Sequence, residues 1–228
     1  MNNNNKSNNT ELPVILFDMD GTLIESTSAI VESFLFAFED QKVPFLKSEE
    51  DIIDLIGYPL DYKFEKLGVE KHKVWDFVDS YKENYRKIAN ERTSLLENAK
   101  ESIEVAKSFA RLGVVTTKTT KYTIELLEKF ELDHMFETVI GRQDVTNPKP
   151  HPEPVLKACE MMNVVPSKSV FMIGDTKLDL IAASEAKVTS IAVLCGYGKE
   201  EELVKYTNNI CKDSLESVKL VKRLHSKA

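Results

Sequence analysis

The stretch "VILFDMDGTLIES", residues 14–26, is an unbroken β-prone apolar run that stops at two carboxylates one residue apart. A run with no polar alternation is the mark of a strand buried on both faces, as in a parallel sheet. Asp18 and Asp20 then stand at the carboxyl end of that strand. Two carboxylates this close raise each other's pKa unless they are exposed in a turn or bridged by positive charge. Which of the two applies depends on what the rest of the chain delivers to the same place.

Downstream, from about residue 26 to 93, the pattern turns helical. Ile30, Val31, Phe34, Leu35 and Phe38 recur at helical spacing, "SEED" from Ser48 has the form of a capping box, and Val74, Phe77, Val78 and Tyr81 repeat the period. Trp75, with Phe77 and Tyr81, reads as core of this helical segment. Gly57 and Pro59 in "IGYPLD" interrupt it with a tight loop. After "LLENAKESIEVAKSFARLG" strands and helices alternate through "VVT", "TVI", "VFMI" and "SIAV". The pattern predicts an α/β fold, a doubly wound parallel sheet with an inserted small α-helical cap domain. The expected division is a core over 12–25 and 94–228, a helical insertion over 26–93, and a disordered Asn-rich tail over 1–11.

A chain of 228 residues, 42% hydrophobic and 29% charged, is long enough for a substantial core. No apolar stretch approaches the roughly 20 residues of a membrane span, and the N-terminus lacks the features of a signal peptide, so a cytoplasmic location is expected. Cys159, Cys195 and Cys211 are odd in number and scattered, which predicts buried thiols and no disulfide framework. The net charge of −7 offers no basic field for nucleic acid or anionic lipid. An anionic ligand must be caught locally, which favours a small molecule.

In open parallel sheets the ligand site lies beyond the carboxyl ends of the strands. The first strand brings Asp18 and Asp20 there. "GVV" leads to Thr116, Thr117 and Lys118, the loop after "TVI" holds Lys149 within "NPKPHPEP", and "VFMIG" leads to Asp175 and Asp179. Converging carboxylates call for a hard divalent cation, and Mg²⁺ commonly bridges a carboxylate to a substrate phosphate. A nucleophilic carboxylate attacking phosphorus, with lysine and threonine on the phosphoryl oxygens, suits this set.

"DMDGT", "VVTTK", "KPHPEP" and "GDTKLD", in that order and with a helical insert after the first, resemble the haloacid dehalogenase superfamily. The likeness is to its capped phosphatases, such as phosphoglycolate phosphatase. The resemblance implies that Asp18 is the nucleophile and that Asp20 is the general acid and base, lending a metal only its backbone carbonyl. It implies that Thr116 binds phosphate, Lys149 orients nucleophile and phosphoryl group, Asp18 and Asp175 ligate Mg²⁺, and Asp179 ligates the metal or its water. It also implies that Gly57 and Tyr58, on the cap loop, meet the leaving group. Spacing alone does not separate Thr116 from Thr117 as the phosphate-binding hydroxyl; family position favours Thr116.

Thr117 is a departure, since many relatives have asparagine there, and "TTK" is similar to the pyrophosphate-hydrolysing members. Family members usually have glycine near Lys187 and a "PGV"-like segment near Asn98 to Lys100, so Lys187 must accept a backbone geometry that glycine normally supplies. The expected substrate is a small phosphorylated metabolite, phosphoglycolate first, with pyrophosphate or a sugar phosphomutase reaction as alternatives. A monomer or homodimer is expected. A catalytically silent binding module is disfavoured by the complete acid set.

Overall fold

The computed structural model describes residues 12–226, so the tail reading for 1–11 lies outside the described residues. The chain runs β1 (Val14–Phe17), β2 (Ile24–Glu25), α1 (Thr27–Asp40), α2 (Glu49–Ile53), α3 (Leu60–Lys66), α4 (Val74–Arg92) and β3 (Ser94–Leu95). It continues through α5 (Ala99–Lys107), β4 (Arg111–Val115), α6 (Thr120–Lys129), β5 (Thr138–Ile140), α7 (Glu153–Met161), β6 (Val170–Gly174) and α8 (Lys177–Glu185). The last elements are β7 (Thr189–Val193), α9 (Glu200–Leu203), β8 (Ile210–Cys211) and α10 (Ser214–His225).

Six strands form one parallel sheet in the order β5-β4-β1-β6-β7-β8. The unbroken apolar run of β1 has a direct cause. Ile15 and Phe17 join one core cluster with Ile103, Val218 and Val221 of α5 and α10. Val14 and Leu16, pointing the other way, join a second cluster with Val155, Ala158, Ala182 and Ala183 of α7 and α8. Side chains alternate across a strand, so helices on both faces require apolar residues at every position.

From β1 the sheet grows first toward β4 and β5, then crosses back to β6, β7 and β8. The two directions part between β1 and β6, and this switch point opens a crevice at the strands' carboxyl ends. Across it the Asp18 N–H donates to the Ile173 carbonyl at 2.9 Å.

Helices α1 to α4 build a separate cluster from their own apolar faces, including Phe34, Phe38, Phe64, Phe77, Tyr81 and Tyr85. Phe34 packs against Phe64 at 4.6 Å with the rings tilted, and Phe38 meets Phe77 nearly edge-on at 5.0 Å, a favoured aromatic arrangement. The capping box at Ser48 is present, with Asp51 completing it. Entry to and exit from this helical unit are tied by the two-stranded antiparallel β2–β3 ribbon, where Ile24 faces Leu95. Trp75 corrects the sequence reading: it is 61% exposed, because α4 turns Phe77 and Tyr81 inward while Trp75 faces the rim of a cleft. Cys159 and Cys211 are buried as expected, whereas Cys195 is half-buried.

Lys187, just past α8, adopts φ 60°, and Asn98 before α5 adopts φ 63°. Each carries a side chain in the left-handed region, at a cost of about 1–2 kcal/mol that glycine avoids. Asn98 offsets part of it by donating its side-chain amide to Asp213 at 3.0 Å. Among the described residues no helix is long and apolar enough to cross a membrane.

Candidate active site

Asp18 ends β1 and is almost wholly buried. Lys149, in the loop between β5 and α7, brings its ammonium 2.9 Å from Asp18 Oδ1 and 2.5 Å from Asp179 Oδ1. The same ammonium donates to the Val115 carbonyl at the end of β4, at 3.1 Å. A three-way anchorage of this kind fixes the lysine between two carboxylates. Burial alone would lower its pKa, but Asp179 and Asp18 more than reverse that, so it stays charged.

Asp179 owes its position to helix capping. It is the third residue of α8, and its Oδ2 accepts from the Thr176 N–H at 3.1 Å and the Thr176 hydroxyl at 2.8 Å. The reciprocal box spends one carboxylate oxygen on the helix start and leaves Oδ1 for Lys149. Asp175, between β6 and α8, has no exposed surface. Its Oδ1 accepts from the Thr22 hydroxyl at 3.1 Å and its Oδ2 from the Tyr197 N–H at 2.8 Å.

Oxygens of Asp18, Asp175 and Asp179 all lie within 4.8 Å of one another. Burial pushes Asp18 up to about 7, with Lys149 opposing. Burial, with Asp179 and Asp18 adding to it, holds Asp175 well above the usual carboxylate range. Three buried carboxylates cluster here with one ammonium, which touches only Asp18 and Asp179, and that excess of negative charge among hard oxygen donors fits a divalent cation.

Gly21 sits at φ 78°, and a Cβ there would fall 2.4 Å from Asp175 Oδ2. Only glycine lets the loop after β1 turn this tightly against Asp175. The turn also swings the Asp20 carboxylate away from the acidic cluster toward a cleft of about 380 Å³ between the sheet end and the helical unit. There Asp20 accepts a short hydrogen bond from the Ser26 hydroxyl and pairs with Lys118 Nζ at 3.1 Å. Its side chain is thus clear of the acidic cluster and is held by these two partners.

The two threonines after β4 take different partners. Thr116 Oγ1 accepts from the Lys118 N–H at 3.1 Å, leaving its own proton to donate. Thr117 spends its hydroxyl proton on the Gly57 carbonyl at 2.9 Å. Gly57 and Tyr58, from the loop between α2 and α3, therefore reach the core, and both line the cleft. Tyr58 stacks on Tyr62 at 4.7 Å.

Sequence reasoning did not assign Lys118, Ser26, Thr22, Thr176, Tyr197 or Lys63. Lys118 was within reach, being two residues from Thr116 on the same loop. Tyr197 was not, because it reaches Asp175 through its backbone N–H, which no residue type signals.

Comparison with known proteins bears on the family and the fold. The haloacid dehalogenase-like hydrolase family model matches residues 15–193. A protein named Pyrophosphatase PpaX from Bacillus cereus (strain G9842) is 34% identical over 181 residues, 78% of this chain and 82% of that protein. One of the same name from Bacillus anthracis is 30% identical over 213 residues, 92% of this chain and 96% of that one. A solved structure of a predicted phosphoglycolate phosphatase from Haemophilus somnus aligns with TM-score 0.82 at 26% identity, covering 92% of this chain and 97% of its own. With a single family model spanning the first strand through β7, the chain belongs to the haloacid dehalogenase-like hydrolases.

Proposed function

We propose that the protein is a Mg²⁺-dependent phosphatase that works through an aspartyl-phosphate on Asp18. The observation that carries the reading is the buried cluster of Asp18, Asp175 and Asp179, with the Lys149 ammonium on Asp18 and Asp179 and Asp20 on the cleft. The carboxylates of Asp18, Asp175 and Asp179 and the backbone carbonyl of Asp20 would hold the ion. When bound, Mg²⁺ supplies charge neutralisation for the phosphoryl oxygens.

A free oxygen of Asp18 attacks phosphorus, and the bond to the leaving oxygen breaks as the new P–O bond forms. Asp20 gives its proton to the leaving oxygen; as a carboxylate it then takes one from the water that cleaves the aspartyl-phosphate, releasing inorganic phosphate. Ser26 and Lys118 keep Asp20 aimed at the cleft. Lys149 steadies Asp18 and faces the phosphoryl group, and Thr116 donates its hydroxyl to a phosphoryl oxygen. Residues 26–93 act as the cap, with Gly57 and Tyr58 over the leaving group and the β2–β3 ribbon as its base.

The substrate is a small phosphorylated compound. Phosphoglycolate is supported by the solved neighbour, and pyrophosphate by the curated relatives together with the "TTK" sequence. The test is phosphate release from both, and from a panel of phosphate esters, with Mg²⁺ or with EDTA. Mg²⁺-dependent release that Asp18→Asn abolishes without a loss of folded structure is the expected result. An active Asp18→Asn protein would overturn the reading.

A further inference from the structure

Among the described residues Lys63, on α3, is the one buried cation at this end of the molecule for which the mechanism above has no use. Its residue surface is 6% exposed, yet it lines the cleft together with Asp20 and Lys118. Among the described residues no carboxylate lies within salt-bridge reach of its ammonium; the face of Phe34 is 5.9 Å away to the ring centroid, and Asp20 and, more weakly, Asp18 attract it only from beyond contact. The other buried lysines at the site are compensated: Lys149 by Asp18 and Asp179, Lys118 by Asp20. Burial lowers Lys63 to about 8, so it is still charged in most molecules near neutrality.

Burying an unpaired charge is strongly unfavourable unless something compensates it. A surface lysine would have avoided the cost by reaching into water. The cleft as a whole has the same bias, with Lys63, Lys82, Lys118 and Arg142 against Asp20 and Asp61, in a chain whose net charge is −7. Such a local positive field in an acidic protein concentrates anions. Phosphorus itself is provided for at the Asp18 end by Lys149 and Thr116, so the charge at Lys63 is left for a second group.

We propose that Lys63 is a specificity-determining residue that binds an anionic group carried by the leaving portion of the substrate, a carboxylate or a second phosphate. The inference rests on the phosphatase reading for which end of the substrate is the leaving portion, and it commits the cleft to substrates bearing a second negative charge over neutral phosphate esters.

The experiment is isothermal titration of phosphoglycolate, pyrophosphate and p-nitrophenyl phosphate into full-length Asp18→Asn, and into the same protein with Lys63→Met or Lys63→Gln. Loss of one charged contact predicts binding of at least one of the first two weakened by about tenfold or more, with a smaller change for p-nitrophenyl phosphate. A contrast confined to phosphoglycolate identifies a carboxylate, and one confined to pyrophosphate a phosphate. Equal changes for all three compounds, or none, overturn the proposal. Thermal unfolding of Lys63→Met provides the folding control, since an apolar chain of similar length should leave the buried site no less stable. Turnover by the unmutated enzyme separates the two readings: a retained binding contrast without turnover removes only the phosphatase, and turnover without the contrast removes only the role of Lys63.

Discussion

The Lys118 ammonium, carried on the loop after β4, donates a 2.8 Å hydrogen bond to the Tyr85 hydroxyl on α4 and lies 3.1 Å from the Asp20 carboxylate. One side chain thereby links the helical unit to the residue proposed as acid and base. Its Nζ also sits over the Tyr85 ring, 4.5 Å from the centroid. Burial disfavours its charge, but Asp20 and Tyr85 more than restore it.

Lys118→Met removes the counter-charge of Asp20 and one of its two tethers. General acid–base catalysis contributes about 10²–10⁴-fold, so kcat should fall by roughly two orders of magnitude. Tyr85→Phe keeps the ion pair and should cost tenfold or less. Steady-state rates of phosphate release for the two variants check the ranking.

Thr116 and Thr117 should separate sharply. Thr116 has a hydroxyl proton to give, while the Thr117 proton is already committed to Gly57. Thr116→Val should lower kcat/KM by about 10–100-fold, the value of one hydrogen bond to a charged group. Thr117→Val should change it several-fold at most and loosen the Gly57 loop instead. Parallel kcat and KM measurements on the two variants are decisive.

Thr176→Val breaks the capping box that holds Asp179. Loss of an N-cap hydroxyl costs about 1 kcal/mol, which thermal unfolding reads directly. Freeing a carboxylate that ligates a metal typically weakens metal affinity by about 10–100-fold. The Mg²⁺ concentration giving half-maximal rate should rise accordingly.

Gly21→Ala places a methyl group 2.4 Å from Asp175 Oδ2 in a backbone conformation, φ 78°, that side chains rarely adopt. The strain alone is worth about 1–3 kcal/mol. Relief by displacing Asp175 would also perturb the acidic cluster. A lowered melting temperature together with lost activity is expected, and a fully active, equally stable variant would show that the loop after β1 is less constrained than its contacts indicate.

Much of this was legible in the residues. The unbroken apolar run Val14–Phe17 required cover on both faces, which is how the two core clusters divide it. Because strand ends in such sheets converge, Asp18, Thr116, Lys149, Asp175 and Asp179 could be gathered from their positions after apolar runs. The left-handed backbone at Lys187 is expected from the resemblance to the family, whose members usually have glycine there.

Only the tertiary structure decided the rest. Periodicity reports which face of an element is apolar; it does not report which elements meet, nor which way one side chain turns at their junction. Trp75 therefore reads as core but stands at the cleft rim, and nothing in the sequence marks Lys63 as buried. Asp20 meets Lys118, and Thr117 meets Gly57, only because the sheet order and the β2–β3 ribbon bring the helical unit over the strand ends. The residue types and their order determined the fold and the acidic cluster, since burial on both faces and strand-end convergence are local rules. The cleft, with its unpaired cation, depends on long-range packing that no local pattern encodes.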